Sequence, residues 1–359
     1  MCCPAPAVSR HHSPSQVRHV VVNGDHGAYF RWEEHDMTHV RVLGTGGTIS
    51  SRFGSGLQGA TASDGAARLV GEAGGGVEVR ATDVLRTGSY LLTFADLRVL
   101  QRAVAAALAD EDCAGVVITH GTDTMEESAF LLDLVHDSPK SVVLTGAQRT
   151  ADSPAPDGPG NLGDAIVAAA SPAMRDCGVL ICFAGEVRSA RGTRKARTWS
   201  LSAFDGGTVV ATVRDRRLHS VAVPRRFPPL PAPGERFDRT RVEVVPCFLG
   251  AGPGVLAHVI DEGVDAVVLA GTGIGNAGLG FGEQVARATG AGIPVVLSSR
   301  VAWGPTVPVY GNGGGVDLVD AGAVASGELN AYQARILTAL LVAAETPAGD
   351  FGDRFRSYI

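Results

Sequence analysis

Short runs of β-branched apolar residues recur along the first two thirds of this chain, and each is followed by a loop and then by a helical pattern. The apolar runs cover residues 40–43, 115–119, 142–144 and 178–183, and helical patterns cover 97–108 and 126–135. This alternation is typical of βαβ units, whose strands lie parallel in one sheet. The sequence therefore predicts an α/β fold with a parallel sheet in its amino-terminal part.

A proline-rich segment divides the chain. Residues 222–236 contain five prolines, which favour an extended connector over a core element. We therefore predict an amino-terminal catalytic domain over residues 38–221, a linker over 222–236 and a smaller α/β domain over 237–359. Residues 1–37 are rich in Pro, Ser and His without any period, which predicts a disordered tail. Because Met37 directly precedes the first strand, we also hypothesise that the native protein begins there.

Composition and charge exclude several classes of function. The 359 residues are 45% hydrophobic and 19% charged, as in an ordinary soluble protein. The net charge of -6 comes from 37 acidic and 31 basic residues spread along the chain, so no nucleic-acid partner is expected. No apolar run approaches the roughly 20 residues that span a bilayer, and no secretion signal is recognisable. We predict a cytoplasmic protein without a membrane partner, whose cysteines are mostly buried free thiols.

Two loops carry the residue types that catalysis needs. Residues 44–49 read Gly-Thr-Gly-Gly-Thr-Ile and residues 120–127 read His-Gly-Thr-Asp-Thr-Met-Glu-Glu, and each follows an apolar run. In a parallel sheet such loops face one crevice at the carboxyl ends of the strands. Thr48 and Thr122 supply hydroxyls and Asp123 a carboxylate. This layout predicts an active site.

Amide hydrolysis without a metal needs a nucleophile, a proton acceptor and donors for the developing oxyanion. Gly47 and Gly121 let the backbone approach a substrate closely and offer amide groups to it. Lys140, just before the strand at 142–144, is the candidate proton acceptor if burial lowers its pKa, although Asp123 would favour its charged form. Thr124 and Glu127 have the spacing of a capping box that begins the second helix.

Four segments together resemble the bacterial-type L-asparaginase family: residues 44–50, 117–127, 142–149 and 157–162. The similarity extends in order from about Val40 to Ile359. It implies a larger, flavodoxin-like amino-terminal domain, a smaller carboxyl-terminal α/β domain and assembly into a homodimer or homotetramer. It also implies a small amino-acid substrate, with neither cofactor nor metal.

The resemblance further implies a role for individual residues. Thr48 would form an acyl-enzyme with the side-chain amide carbon of asparagine and release ammonia, after which water frees aspartate. Thr122, Asp123 and Lys140 match a second, triad-like group, in which Asp123 also holds the substrate's α-ammonium. Ser89 matches the residue that binds the α-carboxylate, and Ala147 matches the one whose carbonyl orients the leaving amide.

Departures from the family pattern keep other functions open. Residues 50–64 contain no tyrosine, although many members pair one with the nucleophile, and Tyr90 stands where active members have a smaller or amide residue. A preference for glutamine or another small amide is one alternative, and a non-catalytic amino-acid sensor with the same fold is another. A third is dinucleotide binding, because a glycine-rich segment at 270–276 follows a strand and Arg300 follows the next one.

Overall fold

The computed structural model describes residues 39–54, 59–73 and 76–359. The amino-terminal part is built on an eight-stranded sheet together with two short hairpins. Its strands are β1 (His39–Gly46), β2 (Ser51–Phe53), β3 (Ala60–Ala62), β4 (Val79–Thr87), β5 (Cys113–Thr119), β6 (Val142–Thr145), β7 (Val179–Phe183), β8 (Glu186–Ser189), β9 (Thr193–Lys195), β10 (Phe204–Gly206), β11 (Val209–Arg214) and β12 (Arg217–Ser220). The predicted tail at 1–37 and the start at Met37 lie outside the described residues.

The order of strands in the large sheet is β12-β11-β8-β7-β6-β5-β1-β4. Strands β4, β1, β5, β6 and β7 are mutually parallel, whereas β8, β11 and β12 extend the sheet antiparallel. Numbered among themselves, the five parallel strands follow the order 2-1-3-4-5 of flavodoxin-like sheets. From β1 the chain first adds β4 on one side of the sheet and then β5, β6 and β7 on the other, so the strand order reverses between β1 and β5. A ligand crevice is therefore expected where these two strands end.

Helices cover both faces of this sheet, which explains why its central strands read as continuous apolar runs. Every residue of β6 and β7 is buried, as a parallel strand packed on both sides requires. The helices of this part are α1 (Ala66–Ala73), α2 (Phe94–Leu108), α3 (Met125–Leu134) and α4 (Gly158–Ala170). The predicted helices at 97–108 and 126–135 correspond to α2 and α3 within a few residues.

The carboxyl-terminal part has its own four-stranded parallel sheet in the order β13-β14-β15-β16. Its strands are β13 (Val242–Pro246), β14 (Ala266–Gly271), β15 (Val295–Ser299) and β16 (Val324–Ala325), and its helices are α5 (Gly254–Asp261), α6 (Phe281–Gly290), α7 (Gly315–Asp320), α8 (Ala331–Ala343) and α9 (Ala348–Arg356). The predicted fold class, a larger parallel-sheet part followed by a smaller α/β part, is confirmed.

The two parts share one hydrophobic core. Phe130 and Leu131 of α3 are buried together with Leu337 of α8 and Phe355 of α9. Residues 221–234, which include most of the predicted linker, form neither helix nor strand, and Leu230 N donates to Leu134 O at 2.7 Å. The exact domain limits stay a prediction. What the shared core establishes is that α8 packs directly against the part that holds the crevice.

Two further sequence expectations concern the described part of the chain. Four cysteines, Cys113, Cys177, Cys182 and Cys247, are buried and free, as predicted. Burial raises the pKa of the Cys247 thiol to about 11, so this thiol is unreactive at neutral pH. Among the described residues, no helix has the length and apolar character needed to cross a membrane.

Candidate active site

The first loop of the crevice follows β1 and leads to Thr48. Gly46 and Gly47 have φ angles of 104° and 82°, in the left-handed region that favours glycine. Thr48 then begins a single 3-10 turn, Thr48–Ser50. Its side chain is half-buried, and its hydroxyl makes no hydrogen bond to any residue that the structure describes. The backbone therefore presents a threonine hydroxyl that is available to a ligand.

The second loop follows β5 and touches the first. A Cβ atom added at Gly47 would lie 2.3 Å from Gly121 N, so the two backbones are in direct contact. A Cβ atom added at Gly121 would lie 2.6 Å from Ser89 Oγ. Three loops, which follow β1, β4 and β5, thus converge at Gly47, Ser89 and Gly121. The carboxyl ends of neighbouring parallel strands bring them together.

Gly47 and Gly121 differ in whether the backbone N–H group is free to bind a ligand. The Gly47 N–H donates to Thr87 O at 3.0 Å, so it is already occupied. The N–H groups of Gly121 and Thr122 have no acceptor among the described residues. Gly47 therefore supplies close approach, whereas Gly121 and Thr122 offer free donors to negative charge.

His120 fixes the start of the second loop. Its backbone N–H donates to Thr145 O at 2.8 Å, and its Nδ1–H donates to Gly121 O at 2.7 Å. Burial lowers the pKa of His120 to about 4, so the ring is neutral at physiological pH. A neutral imidazole with one committed donor braces the loop.

The predicted capping box at the start of α3 is wrong. The helix begins at Met125 with Thr124 as its N-cap residue, but the Thr124 side chain does not cap it. Instead, the Thr124 hydroxyl donates to Ser89 O at 2.9 Å and ties the loop after β4 to the loop after β5. Here the contact between loops replaces the local cap that the spacing favours.

Lys195 supplies the amine of the site. Its Nζ atom donates to Thr122 Oγ1 at 2.8 Å and to Asp123 Oδ1 at 2.6 Å. Its backbone N–H donates to Glu126 Oε2 at 2.5 Å, which anchors β9 against α3. Thr122 is buried and Asp123 is exposed, so the amine bridges the interior and the mouth of the crevice. Sequence reasoning missed this residue.

Lys140, the predicted proton acceptor, lies elsewhere. Its Nζ atom donates to Leu108 O at 3.2 Å and to Asp110 O at 2.6 Å, where α2 ends. The physical reason is topological: Lys140 precedes β6, so it lies at the amino end of the sheet, whereas the crevice lies at the carboxyl end. The chain has only two lysines, and the direction of the strands would have selected Lys195.

Gln148 extends the hydrogen-bond network of Thr122. Its Oε1 atom accepts from Thr122 Oγ1 at 3.2 Å, while its Nε2 atom donates to Thr198 O and Ser200 O at 3.2 and 3.1 Å. Ala147, directly before it, is fully buried at the carboxyl end of β6. The Thr122 hydroxyl is therefore held between an amide oxygen and an ammonium group.

Ser89 has the environment expected of a ligand-binding hydroxyl. It is 3% exposed, and its Oγ atom has no hydrogen-bond partner among the described residues. A buried hydroxyl without a partner is costly unless a ligand or a water satisfies it. Tyr90, the next residue, is 71% exposed.

The dinucleotide-binding alternative is not supported by the loop after β14. That loop closes on itself, since Thr272 N donates to Asn276 O at 2.7 Å, and α6 begins only at Phe281. A dinucleotide fingerprint needs the glycine loop to open directly into a helix. Among the described residues, no group of three or more His, Cys, Asp or Glu side chains could hold a metal ion.

Comparisons with known proteins agree with this layout. The family model described as "Asparaginase, N-terminal" matches residues 39–222, and the "Glutaminase/Asparaginase C-terminal domain" model matches residues 241–353. A protein of Deinococcus radiodurans named probable L-asparaginase is 35% identical over 85% of this chain and 93% of its own length.

Two other relatives show the same breadth of similarity. The probable periplasmic L-asparaginase of Haemophilus influenzae is 31% identical over 85% of this chain and 88% of its own length. The L-asparaginase 2-3 of Saccharomyces cerevisiae is 32% identical over 84% of this chain and 85% of its own length. With both family models matched in order, this chain belongs to the asparaginase family.

Proposed function

We propose that this protein is an asparaginase that hydrolyses L-asparagine to L-aspartate and ammonia through an acyl-enzyme on Thr48. One observation carries the proposal: the Lys195 amine bridges Thr122 and Asp123 in a loop whose Gly121 contacts Gly47, the residue before Thr48. Relatives that carry the name L-asparaginase support the choice of substrate.

In the first half-reaction, the Thr48 hydroxyl oxygen adds to the side-chain amide carbon of the substrate. The free N–H groups of Gly121 and Thr122 are the candidate donors for the resulting oxyanion. Breaking the C–N bond releases ammonia and leaves an ester on Thr48. In the second half-reaction, water adds to this ester, aspartate leaves and Thr48 regains its proton.

Lys195 need not be neutral in this scheme. Its Nζ atom lies 2.6 Å from Asp123 Oδ1 and donates to Thr122 Oγ1 at 2.8 Å. Thr122 then accepts the proton of Thr48 as it gives its own proton to the leaving nitrogen, while Lys195 holds the Thr122 oxygen in place. In this scheme the lysine itself accepts no proton.

The remaining residues bind the substrate. The unpartnered hydroxyl of Ser89 donates to the α-carboxylate, and the exposed Asp123 carboxylate accepts from the α-ammonium. The Ala147 carbonyl, at the end of the buried strand β6, accepts from the leaving amide. Each contact is made by a loop at the carboxyl end of a different strand, so binding requires all the loops at once.

The decisive test is ammonia release from L-asparagine by the Thr48→Ala variant. We expect kcat to fall by at least about a thousandfold, the loss typical of a removed nucleophile, with the melting temperature unchanged. Thr48→Ser, which keeps the hydroxyl, should retain activity. Thr61→Ala, on the exposed face of β3, is the matched control. Near-normal turnover by Thr48→Ala would reject the assignment of Thr48 as the nucleophile.

Substrate choice is tested separately. We expect kcat/KM to be higher for L-asparagine than for L-glutamine or D-asparagine, and the opposite order would favour a glutaminase. A sensor would bind L-asparagine, detectable as a rise in melting temperature, without releasing ammonia. The exposed Tyr90 beside Ser89 is where a different preference would arise, so Tyr90→Gln should be compared with the wild type.

We also propose a cytoplasmic homodimer or homotetramer that acts on a free amino acid without cofactor or metal. Sedimentation of the purified protein tests the assembly, and fractionation of the native cells tests the location. The Haemophilus influenzae relative is named periplasmic, so the location needs its own measurement. If no metal is needed, turnover should be unchanged after dialysis against a chelator.

A further inference from the structure

The turn that delivers Lys195 is held by a residue of the carboxyl-terminal part. Gln333, on the first turn of α8, is 0% exposed. Its Oε1 atom accepts from Gly192 N at 3.0 Å, and its Nε2 atom donates to Ala190 O at 2.9 Å and to Thr193 O at 3.2 Å. One side chain thus satisfies three backbone groups of the turn that leads into β9.

Burial alone does not explain an amide at this position. The other buried positions of α8 are, apart from Thr338, apolar: Ala331, Ala334, Ile336, Leu337, Ala339, Leu340 and Leu341. An unpaired amide is strongly disfavoured in such surroundings, whereas a paired one fixes the backbone that it binds. The amide of Gln333 therefore recognises the turn rather than filling space.

The turn has a backbone that needs external support. Gly192 has a φ of 78°, in the left-handed region, and the turn connects two strands of different sheets, β8 and β9. A second tether comes from the same part of the chain, because Arg191 Nη1 donates to Tyr358 O at 2.7 Å. Lys195 lies only two residues beyond Thr193, the last residue that Gln333 binds.

We propose that Gln333 is a positioning residue that sets the place of the Lys195 amine over Thr122 and Asp123. The inference rests on the proposed function, in which this amine holds the Thr122 oxygen. Catalytic groups need to be held within about 0.5 Å of their productive geometry. The carboxyl-terminal part thereby takes part in the chemistry without touching the substrate.

Gln333→Met tests the proposal, because methionine keeps the length and removes all three hydrogen bonds. The matched control is Thr338→Val, at a fully buried position of the same helix, where the hydroxyl donates to Ala334 O inside α8 and to no other described residue. We expect Gln333→Met to lower kcat about 10- to 100-fold, with KM changed less than about twofold. Thr338→Val should keep the wild-type kcat.

A double-mutant cycle shows whether the effect passes through Lys195. If it does, Gln333→Met should lower kcat in the wild-type background and leave kcat unchanged in the Lys195→Ala background. If Gln333→Met lowers kcat by the same factor in both backgrounds, the proposal is overturned. So would a kcat for Gln333→Met equal to that of Thr338→Val.

The two lysines of the chain allow a test that does not depend on turnover. Protein labelled only at lysine should give two side-chain NMR signals, assigned with Lys140→Arg and Lys195→Arg. Gln333→Met should shift or broaden the Lys195 signal and leave the Lys140 signal in place. An unchanged Lys195 signal would overturn the positioning role even if the enzyme is active. Absence of turnover in the wild type, with the signal shifted, would instead reject the proposed function.

Discussion

The two ends of the large sheet hold the two lysines of the chain in different ways. At the amino end, the Lys140 ammonium donates to two carbonyl oxygens where α2 ends, and it closes a helix terminus. At the carboxyl end, the Lys195 ammonium donates to a hydroxyl and a carboxylate in an open crevice. The end of the strand that a residue adjoins therefore decides whether the same side chain serves structure or chemistry.

A buried titratable group supports each lysine backbone. Glu126 Oε2 accepts from Lys195 N, and burial raises the pKa of Glu126 to about 7. His136 Nε2–H donates to Lys140 O at 2.9 Å, and burial lowers the pKa of His136 to about 4. Burial thus disfavours the charged form at both ends, and the difference between an acid and a base gives the two ends opposite responses to pH.

The different roles of the two lysines are tested most directly by removing each amine in turn. Lys195→Ala should lower kcat for L-asparagine by about a thousandfold or more, because the Thr122 oxygen that relays the proton is no longer held in place. Lys140→Ala should keep kcat within about twofold. Ammonia release under saturating substrate measures both. Equal losses in the two variants would contradict the assignment of the two ends.

Crowding at the carboxyl end can be tested at Gly47. Gly47→Ala should lower the free energy of unfolding by about 3 kcal/mol or more, because its Cβ would meet Gly121 N and its φ is 82°. Gly250 has the same φ of 82° with nothing within 4 Å, so Gly250→Ala isolates the backbone strain, at about 1 kcal/mol. Urea unfolding of both variants gives the difference, and equal losses would mean that the loops separate easily.

Glu126→Gln tests the response to pH at the carboxyl end. The folded protein binds a proton at Glu126 more tightly than the unfolded chain does, so this group's contribution to stability is fully present below pH 4.5 and is lost as pH rises to about 7. Glutamine keeps an acceptor for Lys195 N without that loss. We expect the variant to gain up to about 3 kcal/mol relative to the wild type between pH 4.5 and 7.

His136→Asn is the mirror experiment at the amino end. Its folded-state pKa lies below 6.5, so the stability contributed by the neutral ring is present above pH 6.5 and is lost as pH falls to about 4. The wild type should lose more stability than the variant over that window, again by up to about 3 kcal/mol. Melting temperatures at half-unit pH steps measure both slopes, and slopes of the same sign would be inconsistent with opposite protonation at the two ends.

The smallest effect is expected for stability at Lys140. Lys140→Met keeps the aliphatic stem and removes two hydrogen bonds to carbonyl oxygens, which should lower the free energy of unfolding by about 1 kcal/mol. Urea unfolding is the measurement. A loss above about 3 kcal/mol would mean that the end of α2 depends on this amine far more than its two hydrogen bonds imply.

Local patterns were enough for much of this molecule. The apolar runs located four of the five parallel strands of the large sheet but missed β4, none of whose residues is fully buried. The rule that loops meet at the carboxyl ends brought Thr48 and Thr122 to one crevice. The antiparallel strands β8, β11 and β12 were missed because their partly exposed residues form no long apolar run. Local reasoning worked where one strand and its own loop contain the whole signal.

Distant contacts were beyond that reasoning. Lys195 meets Asp123 across 72 positions of the sequence, and Gln333 meets Gly192 across 141. The Thr124 hydroxyl was assigned to its own helix because its partner, Ser89 O, lies 35 positions earlier. In each case the sequence offers the side chain several possible partners of similar chemistry, and tertiary packing decides which one it meets.

The hydrogen bonds from Gln333 to the turn before Lys195 also bear on how the chain is made. Synthesis runs from the amino terminus, so Thr48, Thr122 and Lys195 are all translated long before α8. Until residue 333 has left the ribosome, three backbone groups of the turn at 190–193 lack the side chain that they bond. A growing chain therefore carries every reacting group before it can hold them in register, and the crevice is completed only after α8 has been made.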